Sequence, residues 1–318
     1  MRRRLAVSPR LYAQISAVAL AALALIVVTG AAVRLTGSGL GCPDWPKCYG
    51  HVVAPLELHA VIEYTNRLLT GFVGLAVIAA CVLAWYRRPF RWHLALFAAF
   101  LPIGVIGQAV LGALVVKHHL APGLVIGHFI LSMVLLDAAF ALAWCARYAP
   151  DERRRSTDRL GVWAVRALVP IGQLTIMLGT ITTGSGPHPG DFQGDVVRRF
   201  DFRGADTLRW MVERHGALAV LFGVATVAVW LVLRRRGADR RALLPVTWLA
   251  LLLATQGGLG LVQYALKLPA SLVWLHIILA VLTWLCVLWS VGTAGRLEPR
   301  GARAPAGGPR ERELVAAG

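Results

Sequence analysis

Residues 11–33 read LYAQISAVALAALALIVVTGAAV, an uninterrupted run with no charged side chain. A helix rising about 1.5 Å per residue needs roughly 20 such residues to cross a hydrocarbon core about 30 Å thick. A basic start, Arg2-Arg3-Arg4, precedes the run as it would in a secretory signal. A signal's apolar region is shorter, about 7–15 residues, so this run reads as a retained first span. Outward from it, runs of the same kind follow at 59–86, 94–116, 122–146, 162–183, 209–233, 242–266 and 270–293. The expected fold class is an all-α membrane protein with eight transmembrane helices. A chain that is 57% hydrophobic and only 15% charged agrees with this.

The formal charge of +17 does not mark a nucleic-acid binder. The arginines sit in short runs between apolar segments, at Arg2–Arg4, Arg87-Arg88, Arg153–Arg155 and Arg234–Arg236. Cytoplasmic loops carry charge in this way. With both termini inside, most of the 33 Lys and Arg fall on the inner side, so a multi-pass plasma-membrane protein with cytoplasmic termini is expected. The outer side then carries two long loops, about 34–58 and 184–208, and two tight ones, at 117–121 and 267–269. The tail after Gly295 is rich in Arg, Pro, Gly and Ala and reads as disordered.

Long and short outer loops alternate, as an internal repeat would make them. Thr36-Gly37-Ser38-Gly39 recurs as Thr183-Gly184-Ser185-Gly186. Gln108, Leu111 and Gly112 recur as Gln256, Leu259 and Gly260, His128 recurs as His276, and Gly74 recurs as Gly223. The offsets stay between 147 and 149 residues and run in chain order, which predicts two pseudo-symmetric four-helix bundles as a parallel internal repeat. The boundaries are an N-terminal half at 1–147, a cytoplasmic linker at 148–161, a C-terminal half at 162–293 and the tail at 294–318.

The same register places the chemistry. His215 and His276 lie at matching depth on two helices of the second half, where paired imidazoles clamp a haem iron from opposite sides. Hydrogen-bonded packing histidines are the alternative. In the first half His128 matches His276, but Asn66 stands where His215 would. Glu63 precedes Asn66 by three residues and has Val212 as its counterpart; His59 lies four residues earlier. His59, Glu63 and Asn66 fall within one 60° sector of the second span, facing the bundle opposite His128. Glu63 is the candidate catalytic carboxylate, the alternative being a stabilising ion pair with Arg67 at i+4. Cys42 and Cys48, on the oxidising outer face, suit a disulfide that staples the loop or exchanges electrons with a partner. Arg34, Arg67 and Arg214, near outer helix ends, suit haem propionates or lipid headgroups. Asp137 suits a helix–helix hydrogen bond, and His188 is read as a solvated loop residue.

The string Thr36-Gly-Ser-Gly-Leu-Gly-Cys-Pro-Asp-Trp-Pro-Lys-Cys48, followed by Glu63-Tyr-Thr-Asn-Arg67, resembles the heme A synthase family, and the likeness extends over residues 11–293. The resemblance implies a membrane oxidoreductase that oxidises a ring methyl of haem O to a formyl group, giving haem A. It implies haem b as cofactor in the second half, ligated by His215 and His276, with His128 facing the iron of the substrate haem. His59, Asn66 and Arg67 complete the expected binding set, and Glu63 is the catalytic residue. Cys42 and Cys48 match the family's first-loop pair. Haem O synthase is then the expected upstream partner and cytochrome oxidase assembly the destination, with an electron acceptor that the sequence does not name and a homo-oligomeric state left open. Many relatives carry histidine where this chain has Asn66, and some carry a cysteine pair in the second long loop, which is absent here. The competing reading is a di-haem cytochrome b-type electron carrier, which would keep four imidazoles.

Overall fold

The computed structural model describes residues 6–148, 153–192 and 197–299. Eight helices account for the apolar runs: α1 (Pro9–Leu35), α2 (Leu58–Tyr86), α3 (Trp92–Lys117), α4 (Pro122–Arg147), α5 (Arg159–Ser185), α6 (Thr207–Arg235), α7 (Arg240–Ala265) and α8 (Ala270–Ala294). All are long and apolar enough to cross a membrane. The chain is a multi-pass, all-α membrane protein. Large apolar side chains such as Leu75, Ile103, Val220 and Leu261 are exposed, as lipid-facing residues are.

The helix starts are set by local chemistry. Ser8 caps α1 by accepting from the Leu11 amide at 3.2 Å, with Pro9 opening the helix. Asp158 caps α5 through the Gly161 amide at 3.1 Å and also accepts from Arg236 at 2.8 Å.

Two rings of four helices result. In the first, α1 packs on α2 and α4, and α3 packs on α2 and α4; in the second, α5 packs on α6 and α8, and α7 on α6 and α8. The α3–α4 and α7–α8 turns repeat one construction. The Leu120 amide donates to Val115 O and the His119 amide to Val116 O; Leu268 donates to Gln263 O and Lys267 to Tyr264 O. This is the paired bonding of a Schellman helix ending, and both residues of each turn have positive φ. These matches support the internal-repeat reading.

One repeated string folds differently in its two places. Thr36-Gly37-Ser38-Gly39 leaves α1, because Gly37 adopts φ +70° and the Ser38 amide turns back to Val33 O at 2.8 Å. Thr183, Gly184 and Ser185 instead remain helical at the end of α5. Sequence identity over four residues does not fix where a helix stops, since the ending depends on one glycine's φ.

The seam between the rings is built by α1 and α4 against α5 and α8. The Trp284 indole donates to Asp137 at 2.7 Å, which is the helix–helix bond expected for that acid, and the Trp274 indole donates to Val28 O at 3.0 Å. A single hydrophobic core runs across the seam, from Tyr12, Ala19 and Leu136 to Val165, Leu249 and Trp284.

The linker and the start of the tail are not both irregular. Arg153–Arg155 (β1) pairs antiparallel with Arg296–Pro299 (β2), so backbone bonding between the two connectors orders a segment that the sequence assigns to a disordered tail. Residues 300–318 lie outside the described residues.

Candidate functional site

His215 on α6 and His276 on α8 face each other with ring centres 6.4 Å apart and ring planes at 72°. Two imidazoles bound to one metal at about 2.0 Å each have centres roughly 6 Å apart, so this pair stands at ligating distance. Local packing sets the His215 ring. Its Nδ1–H donates to Thr175 O at 3.1 Å, which leaves Nε2 as the acceptor nitrogen. Gly179, one turn on from Thr175 in α5, makes that approach possible, since a Cβ there would lie 2.8 Å from His215 Cε1. Among the described residues no group of three or more His, Cys, Asp or Glu gathers as a metal site. A two-histidine pair suits an iron whose remaining ligands come from a macrocycle.

The first half is arranged otherwise. His128 lies on α4 against α3, where a Cβ on Gly112 would be 3.5 Å from its Cε1. The same relation holds between Gly260 and His276, also at 3.5 Å. Asn66 Oδ1 accepts from the Thr29 hydroxyl of α1 at 2.8 Å. His59 is tied to the outer loops: its Nδ1 pairs with Ser38 Oγ at 2.9 Å, and its ring stacks on Phe192 at 4.6 Å. His59 and His128 form no ring contact like that of His215 and His276.

Glu63 is buried and points at the first loop rather than to lipid. Its Oε2 accepts from the Cys42 amide at 2.7 Å, and its Oε1 is ion-paired with Arg67. The i+4 pair that the sequence allows is therefore present. Arg67 also donates to the carbonyls of Asp44 and Lys47, each at 2.9 Å, and of Cys42 at 3.2 Å. One carboxylate and one guanidinium thus fasten α2 to the disulfide loop. Cys42 and Cys48 are joined and fully buried. Within the loop, the Asp44 carboxylate accepts from the Tyr49 and Gly50 amides at 2.7 and 2.8 Å. Those amides, Gly50's foremost, hold its pKa below the ordinary aspartate value.

Beside the C-terminal end of α1 and the loop after α5 lies a cavity of about 600 Å³, lined by Arg34, Gly37, His188, Asp191, Phe192 and Arg199 among others. Arg34 and Arg199 converge on Thr183 O at 2.6 and 2.7 Å, and neither has an acidic partner within ion-pair distance among the described residues. Burial lowers the Arg199 pKa. His188, read as solvated, instead donates to Leu268 O at 2.7 Å and ties the second long loop to the α7–α8 turn. Arg214 stays at the surface over the Trp210 ring, 5.1 Å from its centre.

The profile of the cytochrome oxidase assembly protein family matches this chain over residues 13–61 and 55–288. The chain belongs to that family. Among curated relatives, a protoheme IX farnesyltransferase of Thermus thermophilus is 31% identical over 284 residues, covering 85% of this chain and 46% of that protein. A heme A synthase of Shewanella oneidensis is 31% identical over 186 residues, covering 51% of this chain and 53% of its own length. A heme A synthase of Bacillus licheniformis is 27% identical over 141 residues, covering 44% and 47% respectively. The chain thus spans about half the length of the curated relatives it matches.

For this family member, sequence reasoning located the facing pair, the disulfide and the Glu63–Arg67 contact. It missed Arg199, Phe192 and Thr29, which reach their partners from other elements. It also missed Thr175 and Gly179, whose contributions are a backbone carbonyl and a missing side chain. Of these, only Gly179 left a trace: a glycine in an apolar span marks a close approach.

Proposed function

We propose that this chain is a heme A synthase, which oxidises a ring methyl of haem O to the formyl group of haem A. The observation that carries the reading is the His215–His276 pair, 6.4 Å apart in the second ring, together with its absence from the first. His215 and His276 would hold haem b, and the Thr175-bonded Nδ1 of His215 leaves its Nε2 for iron. Bound there, haem b supplies a one-electron redox centre.

The first ring is the substrate side. His128 would face the iron of haem O, with Asn66 removing the second imidazole that a permanent haem would need. Converting methyl to formyl takes one water and releases four protons and four electrons, so a proton acceptor and an electron acceptor are both required. Within the first-half helices the carboxylates are Glu63 and Asp137, and Asp137 is engaged by Trp284 across the seam. Glu63 is the proton acceptor: each of its oxygens accepts one bond and keeps a further lone pair. Arg67 and the Cys42 amide hold it in place, and the disulfide keeps the loop that carries Cys42 in register. Arg34 and Arg199, which line the cavity without an ion pair among the described residues, suit the carboxylates of a haem. Electrons leave to an acceptor outside the chain.

The loops rich in arginine orient both termini to the cytoplasm in the plasma membrane. Haem O synthase would supply the substrate and cytochrome oxidase would receive the product. The farnesyltransferase name belongs to a relative of which less than half matches, and the facing histidines favour redox chemistry over prenyl transfer.

Co-expression with a haem O synthase, followed by chromatography of extracted haems, tests the reading. Wild type should yield haem b and haem A, and Glu63→Gln should yield haem b and haem O. Haem b alone from both would establish the di-haem carrier instead, and full conversion by Glu63→Gln would remove the catalytic role of Glu63.

A further inference from the structure

Gln108 and Gln256 stand in the repeat register but have no part in the reaction as described. Each sits on the third helix of its ring, and each does the same thing there. The Gln108 amide nitrogen donates to His128 O at 3.0 Å, and the Gln256 amide nitrogen donates to His276 O at 3.0 Å. Gln108 also donates to Ser132 Oγ at 2.7 Å, a partner lacking in the second ring, where Ala280 occupies that register.

The leftover atoms repeat as well. Gln108 Oε1 and His128 Nδ1 are buried without a hydrogen-bond partner, and so are Gln256 Oε1 and His276 Nδ1. An orphaned buried polar atom is costly, and native proteins pair such atoms with protein or with ordered water. Here one acceptor and one potential donor are orphaned in each ring. In each ring the glutamine amide is bonded to the carbonyl of the same residue whose Nδ1 is orphaned. One glycine turn farther along each third helix, Gly112 and Gly260 leave room for the histidine ring against it.

We propose that Gln108 and Gln256 are positioning residues that accept the Nδ1–H of His128 and His276 through one buried water. Each glutamine thereby fixes the tautomer and the ring angle so that Nε2 carries the free lone pair. The device parallels Thr175 O on His215, with an amide side chain in place of a backbone carbonyl. For iron ligation this rests on the haem reading above; the tautomer assignment does not.

Two measurements on the full chain in detergent test it. In holoprotein, Gln256→Leu removes the acceptor and should raise the haem b midpoint potential, while Gln256→Glu strengthens it and should lower the potential. Gln256→Leu should also weaken haem b retention about 10- to 100-fold. A merely structural defect would move both variants the same way. An unchanged potential in both, or a shift of one sign in both, overturns the proposal for the second ring. Nitrogen-15 spectra of histidine-labelled protein stripped of haem give the second reading: His128 and His276 should hold their proton on Nδ1, and Gln108→Leu and Gln256→Leu should each release its own histidine to a tautomer mixture. A fixed tautomer in both Leu variants overturns the proposal even if no haem binds, whereas a chain that holds no haem yet shows the tautomer shift refutes only the proposed function.

Discussion

At Gly179 the second ring depends on an atom that is not there. A Cβ at this position would meet His215 Cε1 at 2.8 Å, closer than side chains tolerate, and a large ring movement would cost its bond to Thr175 O. Gly179→Val should therefore turn His215 away from His276 and abolish haem b binding, while the protein still inserts. The pigment content of purified protein, set against its yield, measures this. Gly179→Ala should retain part of the haem, the ring giving way by a few tenths of an ångström. At Glu63 the asymmetry lies in charge. Arg67→Ala would leave a buried carboxylate with only the Cys42 amide, and losing one partner of a buried pair costs about 3–5 kcal/mol. Thermal unfolding in detergent should show a large drop for Arg67→Ala, and an unchanged midpoint would mean that the pair is solvated.

Among elements, the helices were the most legible part of the sequence, and the loops the least. A span's length is imposed by the thickness of the bilayer, so every expected run lies within a few residues of an observed helix. Matching depth along two such helices was enough to bring His215 and His276 together. What faces a helix from elsewhere is not written in its periodicity: Phe192 on His59, Thr29 on Asn66 and Arg199 on Thr183 O all come from elements distant in sequence. The polar groups of His59, Glu63 and Asn66 are taken up by Ser38 and Cys42 of the first long loop, by Arg67 and by Thr29 of α1. That loop has its own pH dependence. Asp44 titrates below the ordinary aspartate value, so the order it provides is complete above roughly pH 4 and is lost as pH falls through its depressed pKa. Hydrogen exchange at the Tyr49 and Gly50 amides should accelerate only at acid pH in wild type and already at neutral pH in Asp44→Asn. Equal protection in both at neutral pH would show that the disulfide alone orders the loop.

On the scale of the whole molecule, the two rings share one core. The covalent link between them contributes less to their union than the seam does. Asp137 with Trp284, Trp274 with Val28 O, and Arg34 with Thr183 O join first-ring and second-ring helices. The α4–α5 connection, by contrast, lies at the opposite helix ends from the Arg34–Thr183 contact. Cutting the chain between Tyr148 and Arg153 should therefore leave two fragments that copurify when expressed together and still convert haem O. A single interhelical bond in a membrane is worth about 1 kcal/mol, so Trp284→Phe alone should weaken that association measurably without ending it. Haem b should stay with the second fragment, because His215, His276, Thr175 and Gly179 all belong to it. Haem b on that fragment when expressed alone, and haem A formation only when both are present, is the pattern a divided catalyst requires; haem A formation by the first fragment alone would show that the second ring is dispensable to the chemistry.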